Sequence, residues 1–433
     1  MTKFAARLFA GTAAALCLAS AAAASAPVDI NEAVKLTLKD NSALRSLRQE
    51  LIKAQAFKLQ ADGTLLPSVS AGGVLNAQRE PQTNDGSDRS DSRAASASLE
   101  QVIYSGGKNS AQRAQSPQVR TIAEMAVADG ENSAVGELYA RFYDVLLKKK
   151  QIAAETAAVA TSELHLKQVT QMAKLGLANK LEVIRAGQQL ATNTANLSIA
   201  RGLHETSMIS LMNYMAIAPQ ERREVAGELY EPAVSGDRRE SLALAEKFRA
   251  DRRQLEERLR YQENQIRIER SGMLPKVTAG LSSGWSDPYR QQDRGSDTWR
   301  AEISLSIPIF DRNVTRSSVM TAKAVREQDK IALEQKELDI KSEVETAWSE
   351  IETSRRSLRA SEKALELAKE SLRLAEVGYR EGVTPQLDLL DAQSSLTLAQ
   401  LEYNRAQYNH LIAVVALKVT EGTIIQWNGE KIR

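Results

Sequence analysis

The chain has 433 residues, of which 26% are charged and only 5% aromatic, and its formal net charge is +2. Ala, Leu, Gln, Glu and Arg dominate, a composition of long helices with small-residue seams rather than of one thick globular core. The charge balance gives no reason to expect a nucleic-acid partner, and a single cysteine, Cys17, excludes a disulfide framework.

Met1-Thr2-Lys3 and Arg7 precede an apolar run from Leu8 to Leu18 and the small-residue stretch Ala21–Ala26. This pattern predicts a secretory signal peptide over 1–24, cut after Ala24, because Pro27 is ill placed directly after a cut at Ala26. The run is too short for a membrane span, and Leu16 before Cys17 argues against a lipoprotein signal. Removing Lys3 and Arg7 with no acid takes the charge from +2 to 0. No later stretch reaches the ~20 apolar residues of a transmembrane helix, so an exported chain of this kind is periplasmic, secreted or an outer-membrane β-barrel.

Asp29-Ile30-Asn31-Glu32-Ala33-Val34 opens a short helix, with Asn31 or Asp29 as N-cap, and Asp40-Asn41-Ser42 interrupts it. A second helix carries Leu44, Leu47, Leu51 and Ala54 toward Gln60 and ends before Leu66-Pro67. The period then changes to two. Val69, Ala71, Gly73 and Leu75 alternate with Ser68, Ser70, Gly72 and Asn76. After a polar stretch from Gln78 to Arg93, Ala97, Leu99 and Ile103 alternate with Ser96, Ser98 and Glu100, with Gln101 breaking the apolar face. Gly106-Gly107 marks the strand exit. A helix follows from Asn109 to Lys174, on the order of 100 Å long unless Pro117 or Gly130 breaks it. Its heptad seam is Leu138, Val145, Ile152, Val159, Leu166 and Ala173. Gly176 ends it, and Leu181–Met215 returns. A linker with Pro219, Pro232 and Gly236 follows.

Then the pattern repeats. Leu255, Leu259 and Leu274-Pro275 answer Leu47, Leu51 and Leu66-Pro67 at a spacing of 208. Val277, Ala279, Leu281 and Trp285 form one alternating strand, and Trp299, Ala301, Ile303, Leu305, Ile307 and Ile309 another. Asp311-Arg312-Asn313 leads into a helix from Val314 to Arg380. Its seam, Val344, Ile351, Leu358, Leu365, Leu372 and Tyr379, lies 206 residues after the first. Gly382 ends it, and Leu387–Leu417 returns. The chain therefore reads as a tandem duplication: one repeat over 25–218 (β-hairpin about 67–104, helical hairpin about 109–215), a linker over 219–240, a second repeat over 241–419 (275–310 and 314–417), and an irregular tail over 420–433.

About ten residues with one apolar and one polar face make the pattern of a membrane β-strand. Tyr104, Trp285, Tyr289, Trp299 and Phe310 near strand ends fit an aromatic girdle. Four strands cannot close a barrel, because the smallest membrane barrels have eight and an open edge in lipid leaves backbone groups unpaired. Two copies would supply eight strands, and three would supply twelve.

Gly176 and Gly382 are expected in left-handed geometry at helix ends. Asp388 and Asp391 share a helix face; their positions read either as a solvated pair favouring the helix dipole or as part of a carboxylate ring that recruits cations. His165, His204 and His410 lie far apart with no carboxylate or cysteine at ligand spacing, and His204 and His410 read as helix-surface positions. Gly72-Gly73 and Gly106-Gly107 lack the Lys-Ser or Lys-Thr of a phosphate loop. Neither an enzyme, a cofactor nor a metal is expected.

The residues resemble the TolC-like outer-membrane efflux and secretion channels over the whole mature chain. The likeness rests on Asn31-Glu32-Ala33-Val34, on the paired Leu66-Pro67 and Leu274-Pro275, and on Tyr379-Arg380-Glu381-Gly382 running into Asp388-Leu389-Leu390-Asp391-Ala392. It implies an α+β membrane protein: a homotrimer whose twelve-stranded barrel in outer-membrane lipid continues into a periplasmic α-helical barrel. It implies an exit duct for a tripartite efflux pump or a type I secretion system, working with a periplasmic adaptor (membrane fusion) protein and an inner-membrane pump of the RND or ABC type. By the same resemblance Asp388 and Asp391 ring a periplasmic gate, and Tyr379 contributes a hydrogen bond holding it closed. The family often has arginine where Thr384 stands before Pro385, which leaves Arg380 or Arg185 to supply the charge and Glu182 to accept it. The tips Leu175–Lys180 and Glu381–Gln386, with Leu175, Gly176, Leu177, Glu381, Gly382 and Val383, would meet the adaptor. The rival readings are a periplasmic adaptor, with one hairpin and soluble β-domains, and a structural coiled coil of the envelope.

Overall fold

The computed structural model describes residues 27–78, 90–218, 221, 223–234, 236–288 and 296–427. The expected signal peptide, the strand-joining loops with Pro81, Gly86, Tyr289 and Gly295, Pro219, and the end of the tail lie outside the described residues.

The elements run α1 (Ile30–Asp40), α2 (Ser42–Gly63), β1 (Ser68–Gln78), β2 (Ser90–Ser105), α3 (Lys108–Lys174), α4 (Lys180–Tyr214), α5 (Arg238–Phe248), α6 (Ala250–Arg270), β3 (Lys276–Pro288), β4 (Ser296–Ser306), α7 (Val314–Arg380) and α8 (Gln386–Thr420). Asp29 is the N-cap of α1, its carboxylate accepting from the Glu32 amide at 2.7 Å. Helix α5 was not expected, and it begins inside the stretch read as linker. Its N-cap, Asp237, accepts from the Glu240 amide at 2.8 Å.

Both long helices start from the same backbone device. Gly106 and Gly107 have φ of +63° and +84°, and Arg312 and Asn313, 206 residues later, have +56° and +65°. One residue earlier, Ser105 and Asp311 cap the helix through the Asn109 amide (3.1 Å) and the Thr315 amide (2.7 Å). Neither Pro117 nor Gly130 breaks α3. Pro117 removes the amide that would bond the Arg113 carbonyl, and the Ser116 hydroxyl donates to that carbonyl instead, at 2.9 Å. Gly130 and Gly136 are points of close approach, since an added Cβ would collide with Leu47 at the first and lie 2.5 Å from Val419 Cγ2 at the second.

The chain divides into two compact units. The unit formed by Ser42–Gly136, Pro232–Arg356 and Ile412–Arg433 holds one antiparallel sheet in the order β1-β2-β3-β4. The register stacks Val69, Leu99, Leu281 and Ala301 in one row and Ser70, Ser98, Ser282 and Arg300 in the next. One face is therefore apolar and the other carries hydroxyls and charge, and both are exposed. Gln101, which breaks the apolar pattern of β2, donates to the Leu65 carbonyl at 3.0 Å. Within the unit, Arg238 of α5 pairs with Glu345 (2.7 Å) and Glu352 (2.8 Å) of α7, and Arg249, between α5 and α6, pairs with Asp251 of α6 and Glu343 of α7. Trp348, Ala347, Ile351, Val414 and Leu417 pack beside them. Part of the expected irregular tail joins this core: Ile424 is buried and Trp427 packs on the cluster. A left-handed Gly422 turns the chain there.

The other unit comprises Met1–Asn41, Glu137–Glu231 and Ser357–Leu411. Leu138, Phe142, Val145, Leu211, Met215 and Leu411 are buried in it, and Tyr143 meets Phe142 and Tyr230 edge-on at 5.5 and 6.0 Å. His410, expected on a helix surface, is only 1% exposed, next to the fully buried Leu411. The α7 seam buries Leu358 and Leu365 as expected. On α3 the seam moves: Ile152, Val159 and Leu166 are half-buried, and Glu155, Ser162, His165 and Val169 take the inside. Hydrogen bonding draws that polar face inward, since Asn193 of α4 donates to Ser162 Oγ at 2.6 Å and to the Ala158 carbonyl at 3.3 Å. Among the described residues no helix is long and apolar enough to cross a membrane.

Candidate functional site

The tips of the two long hairpins close by the same turn. Gly176 and Gly382 have φ of +76° and +74°. The Leu177 amide donates to the Met172 carbonyl at 2.9 Å and the Gly176 amide to that of Ala173 at 3.1 Å; Val383 and Gly382 do the same to Gly378 (2.9 Å) and Tyr379 (3.2 Å). These are Schellman caps, which satisfy the last carbonyls of a helix and require the left-handed residue. Helix α4 restarts under Asn179, whose side chain accepts from the Glu182 amide at 3.0 Å and donates to the Glu182 carboxylate at 2.8 Å. Thr384, standing where the family often has arginine, folds back on α7: its amide reaches the Gly378 carbonyl at 3.1 Å, and only a glycine at 378 leaves room for its hydroxyl. Leu175, Leu177 and Val383 project from the tips, Val383 with 81% of its surface exposed. Glu381 is exposed as well.

Behind the tips, all four helices meet in a buried polar knot. His165 of α3 is 4% exposed and Gln386 of α8 is 6% exposed. Gln386 Nε2 donates to the Glu182 carbonyl of α4 at 3.0 Å and lies 3.2 Å from His165 Nε2. The Tyr379 ring of α7 stands edge-on to the His165 ring at 5.6 Å. Its hydroxyl is buried with no hydrogen-bond partner among the described residues. Burial, and then the nearby Glu182 carboxylate, push the Tyr379 phenol above its usual range, and burial pushes the His165 imidazole below its usual range.

The hairpins of this protomer are thus tied by His165 and Gln386, which the sequence reading did not single out, while Tyr379 and Glu182 contribute a ring and a main-chain carbonyl. The signal for His165 was present: it sits three residues after Ser162 in the alternative heptad Glu155–Ser162–Val169. Arg185 lies exposed on α4. Asp388 and Asp391 are exposed on one face of α8, while Leu389, Leu390 and Ala392 are buried.

Farther along the same four helices lies a cavity of about 810 Å³ with a mixed lining that includes Glu155, Asn193, Gln393, Leu398 and Asn404. Glu155 Oε2 and Gln393 Oε1 are buried there without hydrogen-bond partners among the described residues, and burial raises the Glu155 carboxyl above its usual range.

The wider comparisons agree with this architecture. The model of the outer membrane efflux protein family matches residues 33–216 and 242–423, one match per repeat. The pyoverdine export outer membrane protein OpmQ of Pseudomonas putida is 24% identical over 407 residues, covering 91% of this chain and 86% of its own length. A membrane protein of Pseudomonas aeruginosa superposes with a TM-score of 0.78 at 22% identity, covering 90% of this chain and 92% of the other. The outer membrane channel CmeC of Campylobacter jejuni does so with a TM-score of 0.77 at 16% identity, covering 91% and 86%. The matched family and the solved channels are export proteins of the outer membrane rather than enzymes. The chain belongs to the outer membrane efflux protein family, whose TolC-like fold it carries, and its place is the outer membrane.

Proposed function

We propose that this protein is the exit duct of a tripartite efflux pump, passively conducting solutes from an inner-membrane pump across the periplasm and outer membrane. The observation that carries the reading is the four-stranded sheet of an outer-membrane protein with two unpaired edges, β1 and β4, and an exposed apolar face. In lipid those edges need partners, and β4 of one copy has only β1 of the next to pair with in a closed ring. Three copies give a twelve-stranded barrel, which is the family's arrangement.

A small-molecule cargo is favoured over a protein because the relative named above is a pyoverdine exporter; a type I secretion system would use the same duct. The pump would be of the RND or ABC type. The exposed apolar tips around Leu175, Gly176 and Leu177 and around Glu381, Gly382 and Val383 suit a periplasmic adaptor. Asp388 and Asp391, three apart and exposed, suit two stacked rings of carboxylates at a gate, and Tyr379, Thr384, Glu182 and Arg185 lie in or beside its hairpins. Close carboxylates repel and so recruit cations.

Planar-bilayer conductance tests this. The wild type should give a small cation-selective conductance, blocked by divalent or trivalent cations, and Asp388→Ala/Asp391→Ala should relieve the block. A conductance indifferent to both substitutions keeps the duct and discards the gate. No conductance from folded oligomers under any condition refutes the duct.

A further inference from the structure

We infer that His165 is a positioning residue of the tip: as a neutral acceptor it fixes the Gln386 amide that ties α8 to α3 and α4, so the tie is a latch released by protonation. The inference rests on the gate reading above and gives it a regulator.

Gln386 Nε2 faces two atoms, the Glu182 carbonyl at 3.0 Å and His165 Nε2 at 3.2 Å. A carbonyl only accepts, so the atom facing it must be the amide nitrogen, and flipping the amide would set Gln386 Oε1 against the Glu182 oxygen. The orientation of Gln386 is therefore fixed by α4. The same nitrogen then presents a donor to His165 Nε2, which must be the bare nitrogen of a neutral imidazole, with the ring proton on Nδ1. Protonation of Nε2 would set N–H against N–H in a site where both residues are almost wholly buried. One of the two contacts must then break.

Burial rather than a neighbouring charge governs the His165 imidazole, although the Glu182 carboxylate is near enough to act on the Tyr379 phenol. From α7 the facing group is the Tyr379 ring, edge-on at 5.6 Å, its hydroxyl without a partner among the described residues. From α4 it is the Glu182 carbonyl, and the Glu182 carboxylate is engaged by Asn179. From α8 it is uncharged Gln386, while Asp388 and Asp391 lie exposed. On α3 itself Glu163 and Lys167 are exposed. Burial alone moves the imidazole, and it moves it down from 6.5.

The sign follows. A base whose pKa is lower in the latched state holds the latch fully above about 6.5, and the hold weakens as pH falls below that value. Each pH unit shifts the ratio of latched to released tips by up to about tenfold, until the latched-state pKa is passed. A channel whose periplasmic end is tied this way responds to acidification of the periplasm.

The test uses the full-length oligomer in detergent, spin-labelled at the exposed tips through Leu177→Cys and Val383→Cys, with label distances measured from pH 8 to pH 5. In the wild-type background the distance distribution should shift below about pH 6.5. His165→Gln keeps an acceptor for the Gln386 amide and cannot charge, so its tips should match wild type at pH 8 and stay unchanged at pH 5. His165→Phe removes the acceptor and should broaden the distribution equally at every pH. A wild-type distribution unmoved between pH 8 and pH 5, or a His165→Gln protein that moves as wild type does, overturns the inference. Conductance recorded on the same proteins separates the two readings. Labels that move while conductance does not uphold the latch and sink the gate. Cation block relieved at Asp388 and Asp391 with labels that never move upholds the gate and sinks the latch.

Discussion

Gly136→Ala should destabilise the protein, although the same change in an unobstructed helix would stabilise it. Replacing glycine by alanine inside a helix gains about 1 kcal/mol. At this position the new Cβ would sit 2.5 Å from Val419 Cγ2, against 3.4–4 Å for ordinary contact. Val419 is β-branched and stiff in its helix, and Asn132, one turn before Gly136, donates to the Val419 carbonyl at 2.9 Å, which pins the approach. Overpacking of that kind costs about 1–3 kcal/mol, so the net change in the wild-type background is a loss of up to about 2 kcal/mol. In a Val419→Ala background the obstruction is gone and Gly136→Ala should gain about 1 kcal/mol. The coupling between the two sites is then about 1–3 kcal/mol. Guanidinium unfolding of the detergent-solubilised protein, followed by helical circular dichroism, gives the four midpoints. Equal gains from Gly136→Ala in both backgrounds would refute the close approach. Gly130→Ala is the companion case, where the obstructing atom is the free end of Leu47, and its coupling with Leu47→Ala should be smaller.

Two further outcomes follow from the sheet and the cavity. Ile303→Arg places a charge on the apolar face of β4, at a cost of about 2–4 kcal/mol near the bilayer midplane, whereas Ser304→Arg lies on the polar face. Only the first should deplete folded oligomer in isolated outer membranes, and equal depletion would contradict the assignment of faces. Glu155→Gln tests the buried carboxyl. Because burial raises its folded pKa above 4.5, its wild-type contribution is intact below pH 4.5 and declines as pH rises through the folded value. The glutamine protein should therefore resist guanidinium better than wild type at pH 8 and equally at pH 4. A gain of the same size at both pH values would show that shape rather than charge is responsible.

Legibility depended on whether a feature rests on local pattern or on a distant partner. The α7 seam was readable because Val344, Ile351, Leu358 and Leu365 are apolar and bury themselves by that property alone. The α3 seam was misread because Glu155, Ser162 and His165 go inside through bonds and cavities that hydrophobic periodicity does not register. Gly176 and Gly382 were readable as helix caps, a purely local requirement. Gly130 read as a possible break, and Gly136 carried no signal, because their reasons, Leu47 and Val419, lie about 80 and 280 residues away in the chain. Helix α5 escaped for the same cause, since Arg238 is matched to Glu345 and Glu352 across more than 100 residues. Strand pairing within each hairpin followed from its turn, while the β2–β3 pairing that joins the two hairpins into one sheet has no turn to announce it.

The two repeats keep one backbone and divide the work at the tip. Left-handed pairs at 106–107 and 312–313, and Schellman glycines at 176 and 382, recur at the same spacing. The side chains beside them do not. Asn179 starts α4 with a cap and a reciprocal bond to Glu182, so that helix is closed within its own hairpin. Pro385 stands at the equivalent place before α8 and has no side-chain oxygen to offer. Gln386 instead reaches out of its hairpin, to the Glu182 carbonyl and His165. Tyr379, which has Ala173 as its counterpart, likewise finds its contact on α3. The start of α8 is therefore held by the other hairpin, whereas the start of α4 holds itself. In a duct built from several copies of such a pair, the α7–α8 tip is the one that a change in the neighbouring hairpin can set free.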